Sequence, residues 1–310
     1  MADKNDNIKQ QVSWGGSWTE QKLDTFESYV RAYLTIMNAF RDKFHWKLLY
    51  FDGFAGSGTR KNDDPDKEVR KLKTLFGEQL IENSDLSVYQ GAAERIVSLE
   101  SKAKLRGFDY YYFIDKDEAN CAALELKLSQ YETVGRKVFR PGDANMQALN
   151  LANALRRDKN MKALALLDPF GMQINWEVIE SLSGPNIDLW ILVPSGVIVN
   201  RLLRTNGELM YTNRLVQFFG LPKQELMDRF YVRKKELTLF GEEETIKKKS
   251  HCIERIAELY VERLGELFPF VTPEPLIMKN NHNVPIFHFV CASYNKTAVK
   301  IAQQIIDRRQ

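Results

Sequence analysis

The sequence predicts an α/β protein with a doubly wound, mostly parallel sheet of seven strands flanked by helices. Three observations lead to this prediction. Short apolar runs alternate with helical stretches of ten or so residues, several of these runs end in an acidic residue, and a glycine-rich segment follows the first run. Strands separated by helices form βαβ units, whose strands lie parallel. Ligands of such sheets bind beyond the carboxyl ends of the strands.

The first predicted element is a helix from Glu20 to about Lys43, preceded by a flexible leader over residues 1–18. Thr19 is the expected N-cap of this helix. Its apolar residues recur at spacings of three and four, as one buried face requires: Leu23, Phe26, Val30, Tyr33, Leu34, Met37 and Phe40. The run KLLYFD at 47–52 then predicts a buried strand that leads into a tight loop.

Residues 61–108 interrupt the alternation and are interpreted as an insertion carried on the main fold. The stretch 61–73 is mostly charged, which favours an exposed loop, and a helix is expected near 92–106. The segment has too few apolar residues to form a core of its own.

The alternation then becomes regular up to residue 195, which gives a core domain at 19–195. Strands are predicted at 110–115, 137–140, 162–168 and 187–193, and helices at 118–131, 144–157 and 176–182. Residues 196–270 are predicted to be a helical addition. A C-terminal hairpin (276–278 and 285–291) and a helix within 271–310 complete the sheet with an antiparallel edge.

Composition restricts the class of protein only broadly. Hydrophobic residues make up 44% and charged residues 27% of the 310 residues, and the formal net charge is +3. This weakly basic balance does not by itself indicate a nucleic-acid partner. No apolar stretch is long enough to span a bilayer, and the polar start lacks a signal-peptide core, so a cytoplasmic protein without a membrane contact is expected. The three cysteines have neither disulfide nor metal-ligand spacing.

The strongest motif is the loop DGFAGSGT at 52–59, directly after the first predicted strand. Glycines let a backbone turn sharply and lie close to a ligand. A phosphate-binding loop needs a lysine where Thr59 stands, and a dinucleotide loop has the spacing G-x-G-x-x-G rather than G-x-x-G-x-G. A purely structural turn is the alternative interpretation.

Acidic residues end or follow the next three strands. Asp115 is placed to accept hydrogen bonds from both hydroxyls of a ribose. Asp143 could accept one from an adenine amine, while Ala144 leaves room for the ring. Asp168 follows the fourth strand. Each of these acids could instead cap the following helix, but four successive polar strand ends are difficult to explain by capping alone.

These segments carry a resemblance to a known family. YFDGFAGSGT, YYFIDKD, PGDAN and LLDPFG, in that order, resemble the class I S-adenosylmethionine-dependent methyltransferases, and FAGSGT is closest to the branch that modifies amino groups of DNA and RNA bases. More narrowly, WTEQKL, DPFG and FHFVCAS are similar to the three-Cys-motif partner protein (TcmP) family. The resemblance implies a Rossmann-like methyltransferase sheet, S-adenosyl-L-methionine as cofactor, and a partner protein that carries a three-cysteine motif.

The resemblance also implies roles for individual residues. The loop residues Gly53, Phe54, Ala55, Gly56 and Gly58 would contact the methionine and ribose end of the cofactor. Asp52 would hold the methionine ammonium, Asp115 the ribose, and Asp143 with Ala144 the adenine. Asp168, Pro169 and Phe170 would form the catalytic motif, with Asp168 and a proline carbonyl accepting hydrogen bonds from the target amine of an RNA or DNA base.

The sequence departs from the family pattern at this motif. Phe170 replaces its second proline and Gly171 its aromatic residue, so Phe170, Trp176 or Trp14 would have to stack on a flipped base. Three hypotheses therefore remain open: methyl transfer to a base nitrogen, a catalytically silent assembly module for a radical-S-adenosylmethionine-type partner, and an NAD oxidoreductase. Lys22 and Arg31 on the first helix could touch a phosphate or the acceptor, although ordinary surface residues are the favoured interpretation.

Overall fold

The computed structural model describes residues 17–58, 91–169, 171–238, 241–280 and 282–309. Within these ranges, the strands are β1 (Lys47–Asp52), β2 (Tyr110–Asp115), β3 (Arg136–Pro141), β4 (Met161–Leu167), β5 (Ile187–Val193), β6 (Tyr231–Thr238), β7 (Gly241–Lys248), β8 (Phe270–Val271), β9 (Leu276–Lys279) and β10 (Pro285–Ser293).

The helices of the same ranges are α1 (Ser17–Phe44), α2 (Ala92–Val97), α3 (Leu99–Ala103), α4 (Glu118–Leu128), α5 (Ala144–Arg157), α6 (Trp176–Leu182), α7 (Asn200–Leu202), α8 (Thr212–Phe219), α9 (Lys223–Phe230), α10 (Cys252–Leu267) and α11 (Lys296–Asp307). A π-helical turn, Ser195–Val199, precedes α7. None of the helices in the described ranges is long and apolar enough to cross a membrane.

The main sheet is doubly wound and mostly parallel, as the sequence predicts. Its strand order is β3-β2-β1-β4-β5-β10-β8, and β1 pairs in parallel with both β2 and β4. The strands β2 and β3 therefore lie on one side of β1, and β4 and β5 lie on its other side. A sheet of this kind opens a crevice at the carboxyl ends of the two strands where the order reverses. That point lies between β1 and β4.

Helix α1 crosses one face of this sheet and is anchored at both ends. Phe26 and Val30 on its inner face are buried in the core. Near its start, Lys22 forms an ion pair with Asp168, just beyond β4. Near its end, Arg41 donates to Asp109, just before β2, over 2.5 Å. Because Asp168 and Asp109 lie at opposite strand ends, α1 runs from the carboxyl edge of the sheet to the other edge.

The C-terminal strands β9 and β10 pair antiparallel, as predicted, but the expectation that they form the edge of the sheet is wrong for β10. That strand lies inside the sheet, with β5 on one side and both β8 and β9 on the other. The run Ile286–Ser293 is buried throughout. A strand buried in this way needs a neighbour at each side to satisfy its backbone groups, and the two short strands supply the outer one.

The prediction that residues 196–270 are a helical addition is wrong over β6 and β7. These strands form a two-stranded antiparallel hairpin, with Tyr231 opposite Lys248 and Thr238 opposite Gly241. The charged runs 233–235 and 247–249 therefore lie largely on strands. The β-branched residues that favour a strand are interspersed with these charged residues, which makes the strand pattern difficult to recognise. One of them, Ile246, packs closely against Gly207.

The predicted leader and insertion are corrected where the structure describes them. Helix α1 begins at Ser17, so Thr19 lies inside the helix and is not its cap. Residues 1–16 and 59–90 lie outside the described ranges. Within 91–108 the single predicted helix is replaced by α2 and α3, and Ile96 and Phe108 are buried in the common core. Residues 91–108 therefore contribute to the common core.

Three element boundaries differ slightly from the prediction. The helix expected at 118–131 ends at Leu128, the strand expected at 137–140 spans Arg136–Pro141, and the strand expected at 162–168 spans Met161–Leu167. Asp168 consequently lies just after its strand and not within it. Cys121, Cys252 and Cys291 are free and buried.

Candidate functional site

The loops that follow β1, β2 and β4 meet at one edge of the sheet. The Gly53 amide donates to the carbonyl of Leu166 on β4 over 3.0 Å, and the Ala55 amide donates to that of Ile114 on β2 over 2.8 Å. The loop after β1 is therefore held by the strands on both of its sides. This places the glycine motif at the crevice where the strand order reverses.

The glycines of this loop are required by its geometry. Gly56 and Gly58 have φ angles of 62° and 66°, a left-handed region that residues with a Cβ rarely adopt. A Cβ on Gly58 would lie 2.5 Å from the Leu124 side chain of α4, and one on Gly53 would lie 2.9 Å from that of Leu167. The loop therefore lies close against the core, with its backbone groups near the crevice.

Asp52 ends β1 and is almost completely buried, with 2% of its surface exposed. Its Oδ1 accepts a hydrogen bond from the Phe54 amide over 3.1 Å, and its Oδ2 accepts one from the Tyr50 hydroxyl over 3.2 Å. Burial, and after it the nearby Asp168 carboxylate, raise the Asp52 pKa to about 7. These contacts show that Asp52 shapes the loop. A direct contact with a ligand ammonium stays a prediction.

Asp115 ends β2 and is not a helix cap. The cap of α4 is Asp117, whose side chain accepts a hydrogen bond from the Ala119 amide. Asp115 Oδ1 accepts from the Asp117 amide over 2.8 Å and from Asn120 Nδ2 over 3.1 Å. The described residues give its Oδ2 no donor, and the side chain is partly exposed. This oxygen is therefore open to a ligand hydroxyl.

Asp143 is the N-cap of α5, the alternative that its position in the sequence leaves open. Its Oδ1 accepts from the amides of Asn145 and Met146 over 2.9 and 3.2 Å. The residue is exposed, and the adjacent Ala144 is buried. The preceding Gly142 donates its amide to the Asp115 carbonyl over 2.9 Å, which brings the loop after β3 to the same edge. The role of Asp143 toward adenine stays a prediction.

Arg214 on α8 borders this region, and the sequence interpretation missed it. Its Nη1 donates to Asn175 Oδ1 over 2.7 Å, and the Asn175 amide donates to Asn145 Oδ1 over 2.9 Å. Burial lowers the Arg214 pKa, while the Asp143 carboxylate acts in the opposite direction. This chain of contacts ties α8 to the start of α5. No local motif marks an arginine more than 70 residues from Asp143.

Asp168 meets a partner from α1. Its Oδ2 accepts from the ammonium of Lys22, and its Oδ1 is buried without a hydrogen-bond partner in the described part of the chain. Lys22 is 2% exposed, so the expectation of a surface residue is wrong. It precedes the buried Phe26 by one helical turn, a spacing that could have placed it on the inner face. Arg31 is 43% exposed and pairs with Glu27, as a surface residue does.

The remaining predicted site residues are only partly brought together. Pro169 is buried next to Asp168, whereas Phe170 and Trp14 lie outside the described residues. The expectation that Trp176 could stack on a base is wrong. It is 2% exposed, its ring contacts Tyr260 edge to face, and the Arg263 guanidinium lies 4.7 Å from its centre. Trp176 therefore belongs to the core beneath α10.

Comparison with models of known protein families gives no match for this chain, and no curated protein matches it.

Proposed function

We propose that this chain binds S-adenosylmethionine at the carboxyl edge of β1–β4 and transfers its methyl group to a nitrogen of a nucleic-acid base. One observation carries the proposal: the left-handed glycine loop and the carboxylates Asp115, Asp143 and Asp168 follow four adjacent strands and meet at one edge.

The charge of this edge favours S-adenosylmethionine over a nucleotide. Asp115, Asp143 and Asp168 end or follow the strands that meet there, and Lys22 balances the charge of Asp168. Phosphate groups would be repelled by the other two carboxylates, whereas S-adenosylmethionine carries a cationic sulfonium and an ammonium. The same argument disfavours NAD, whose pyrophosphate is anionic.

The available atoms fit the parts of this cofactor. Asp115 Oδ2, which has no donor among the described residues, can accept from ribose hydroxyls. The exposed carboxylate of Asp143 and the small Ala144 border the place for an adenine. Gly56 and Gly58 let the backbone approach the methionine end without a Cβ in the way.

The cofactor, when bound, supplies an electrophilic methyl group on its sulfonium. The protein contributes to the reaction by positioning the acceptor. Asp168 Oδ1 is buried and has no donor among the described residues, and a target amine would donate one N–H to it. This hydrogen bond localises the nitrogen lone pair and orients it toward the methyl group.

Transfer of a tritiated methyl group tests the proposal. Wild-type protein is incubated with labelled S-adenosylmethionine and total RNA or DNA, and label in the nucleic acid is counted. We expect label with the wild type, a loss of ~100-fold or more with Asp168→Asn, since the charged acceptor is removed, and wild-type transfer with the exposed control Asp228→Asn. Cofactor binding without label in either nucleic acid would overturn the assignment of the acceptor.

A second candidate is the silent assembly module, and one contact favours it: Lys22 already occupies one oxygen of Asp168. The two candidates are separated by adding a partner protein with a three-cysteine motif to the same reaction. If the chain is a silent assembly module, it should bind the cofactor and the partner and transfer no label to RNA, DNA or protein. Label that is lost in Asp168→Asn excludes it.

A further inference from the structure

The ion pair between Lys22 and Asp168 joins two elements that are 146 residues apart in the chain. The ammonium comes from the inner face of α1, and the carboxylate from the loop after β4. The side chains are 3% and 12% exposed, respectively. Desolvating two charges in this way is costly unless the pair is well satisfied, so the contact needs an explanation beyond surface charge.

A second carboxylate, that of Asp52, lies near this ion pair. Asp52 is close enough for the Asp168 carboxylate to raise its pKa, and Lys22 acts in the opposite direction. Tyr50, which donates to Asp52, also feels the charge of Asp168. Lys22 from α1, and Asp52 and Tyr50 from β1, thus lie near Asp168. Lys22 brings a cation beside both carboxylates.

We propose that Lys22 is a positioning residue that holds Asp168 in one orientation, with Oδ1 presented to the ligand. The ammonium takes Oδ2, so Oδ1 is left buried and without a donor among the described residues. The lysine therefore sets the direction in which this acceptor faces.

This proposal rests on the proposed function and adds to it a residue from outside the motifs. It places α1 in the site, since the helix delivers the cation that pairs with Asp168. Arg31, nine residues further along the same helix, provides a matched control because it pairs with Glu27 at the surface.

The experiment compares wild type, Lys22→Met, Lys22→Arg and Arg31→Met in methyl transfer. We expect Lys22→Met to lower kcat by about tenfold or more with little change in KM for the cofactor. Lys22→Arg should restore most of kcat, and Arg31→Met should behave as wild type. An unchanged kcat in Lys22→Met would overturn the proposal.

A stability measurement keeps the proposal separate from the proposed function. Lys22→Met, Asp168→Asn and the double variant are unfolded with urea, which requires no acceptor. If Lys22 holds Asp168, the double variant loses less stability than the two single variants added together. Strict additivity would overturn the proposal. Absence of label with the wild type, together with non-additive unfolding, would overturn only the assignment of methyl transfer.

Discussion

Asp52 is a buried carboxyl group beside a second carboxylate, so its proton couples the site to pH. Burial is the larger cause of its raised pKa, and the Asp168 carboxylate adds to it. In an unfolded chain the group has the ordinary value of 3.8. The folded protein therefore holds a proton on Asp52 up to about pH 7 that the unfolded chain loses near pH 4.

The sign of the effect on stability follows from this difference. Between about pH 4 and pH 7 the folded state binds the extra proton, so the Asp52 contribution to stability falls as pH rises. We expect Asp52→Asn to melt at a higher temperature than wild type at pH 8, and the difference to shrink at pH 5. Thermal unfolding without cofactor measures it.

The variant must be compared with wild type at each pH, because His288 changes stability with pH in the opposite direction to Asp52. Burial lowers its pKa to about 4, so its contribution is lost as pH falls below its ordinary value of 6.5. This effect is the same in both proteins and cancels in the difference. If the difference in melting temperature between Asp52→Asn and wild type did not change with pH, this would contradict the claim that the buried Asp52 carboxyl group holds a proton in the folded state.

At the scale of elements, the loop after β1 depends on glycines in the left-handed region. Gly58→Ala would place a Cβ 2.5 Å from Leu124 on a backbone with φ of 66°. We expect a loss of ~1–3 kcal/mol in the free energy of unfolding, together with weaker cofactor binding. Urea unfolding and calorimetry measure the two effects.

Gly265 on α10 is the matched control. It is exposed, and a Cβ there would meet nothing within 4 Å. Gly265→Ala should leave binding unchanged and raise stability by roughly 0.5–1 kcal/mol, because alanine favours a helix. Equal effects of the two substitutions would show that the loop conformation is not constrained.

Helix α1 should depend on its far anchor for stability. Arg41 is buried and donates to Asp109 and to the Gly107 carbonyl. We expect Arg41→Met to lower the free energy of unfolding by about 2–4 kcal/mol, since it removes a buried donor from the Gly107 carbonyl and from the partly buried Asp109 carboxylate. Arg106→Met removes the exposed pair with Asp42 and should change the free energy of unfolding much less, because water screens exposed charges. A cost for Arg41→Met as small as that of Arg106→Met in urea unfolding would argue against the anchor.

At the scale of the whole molecule, the order of the sheet follows from patterns that the sequence carries locally. Apolar runs that end in an acid predict β1, β2 and the strand-end site, because burial and turn chemistry are set by neighbouring residues. The hairpin β6–β7 was missed because its strands are highly charged. The inner position of β10 depends on pairing with β5, about 100 residues away, which no local pattern encodes.

The site likewise contains some features that local sequence patterns predict and others that depend on long-range packing. The positions of Gly56, Asp115 and Asp143 at one edge are predicted by their place after parallel strands. The contacts of Lys22 and Arg214 arise only when distant helices pack on the sheet. Long-range ion pairs of this kind leave little trace in sequence spacing, although the position of Lys22 one turn before a buried aromatic residue was a usable signal.

The most direct test of the account is a calorimetric titration of the full chain with S-adenosylmethionine. We predict one binding site for the wild type, an affinity at least ~10-fold lower for Asp115→Ala because a charged acceptor for the ribose hydroxyls is lost, and wild-type affinity for Glu125→Gln on the outside of α4. No binding by the wild type, or equal binding by Asp115→Ala, would contradict it.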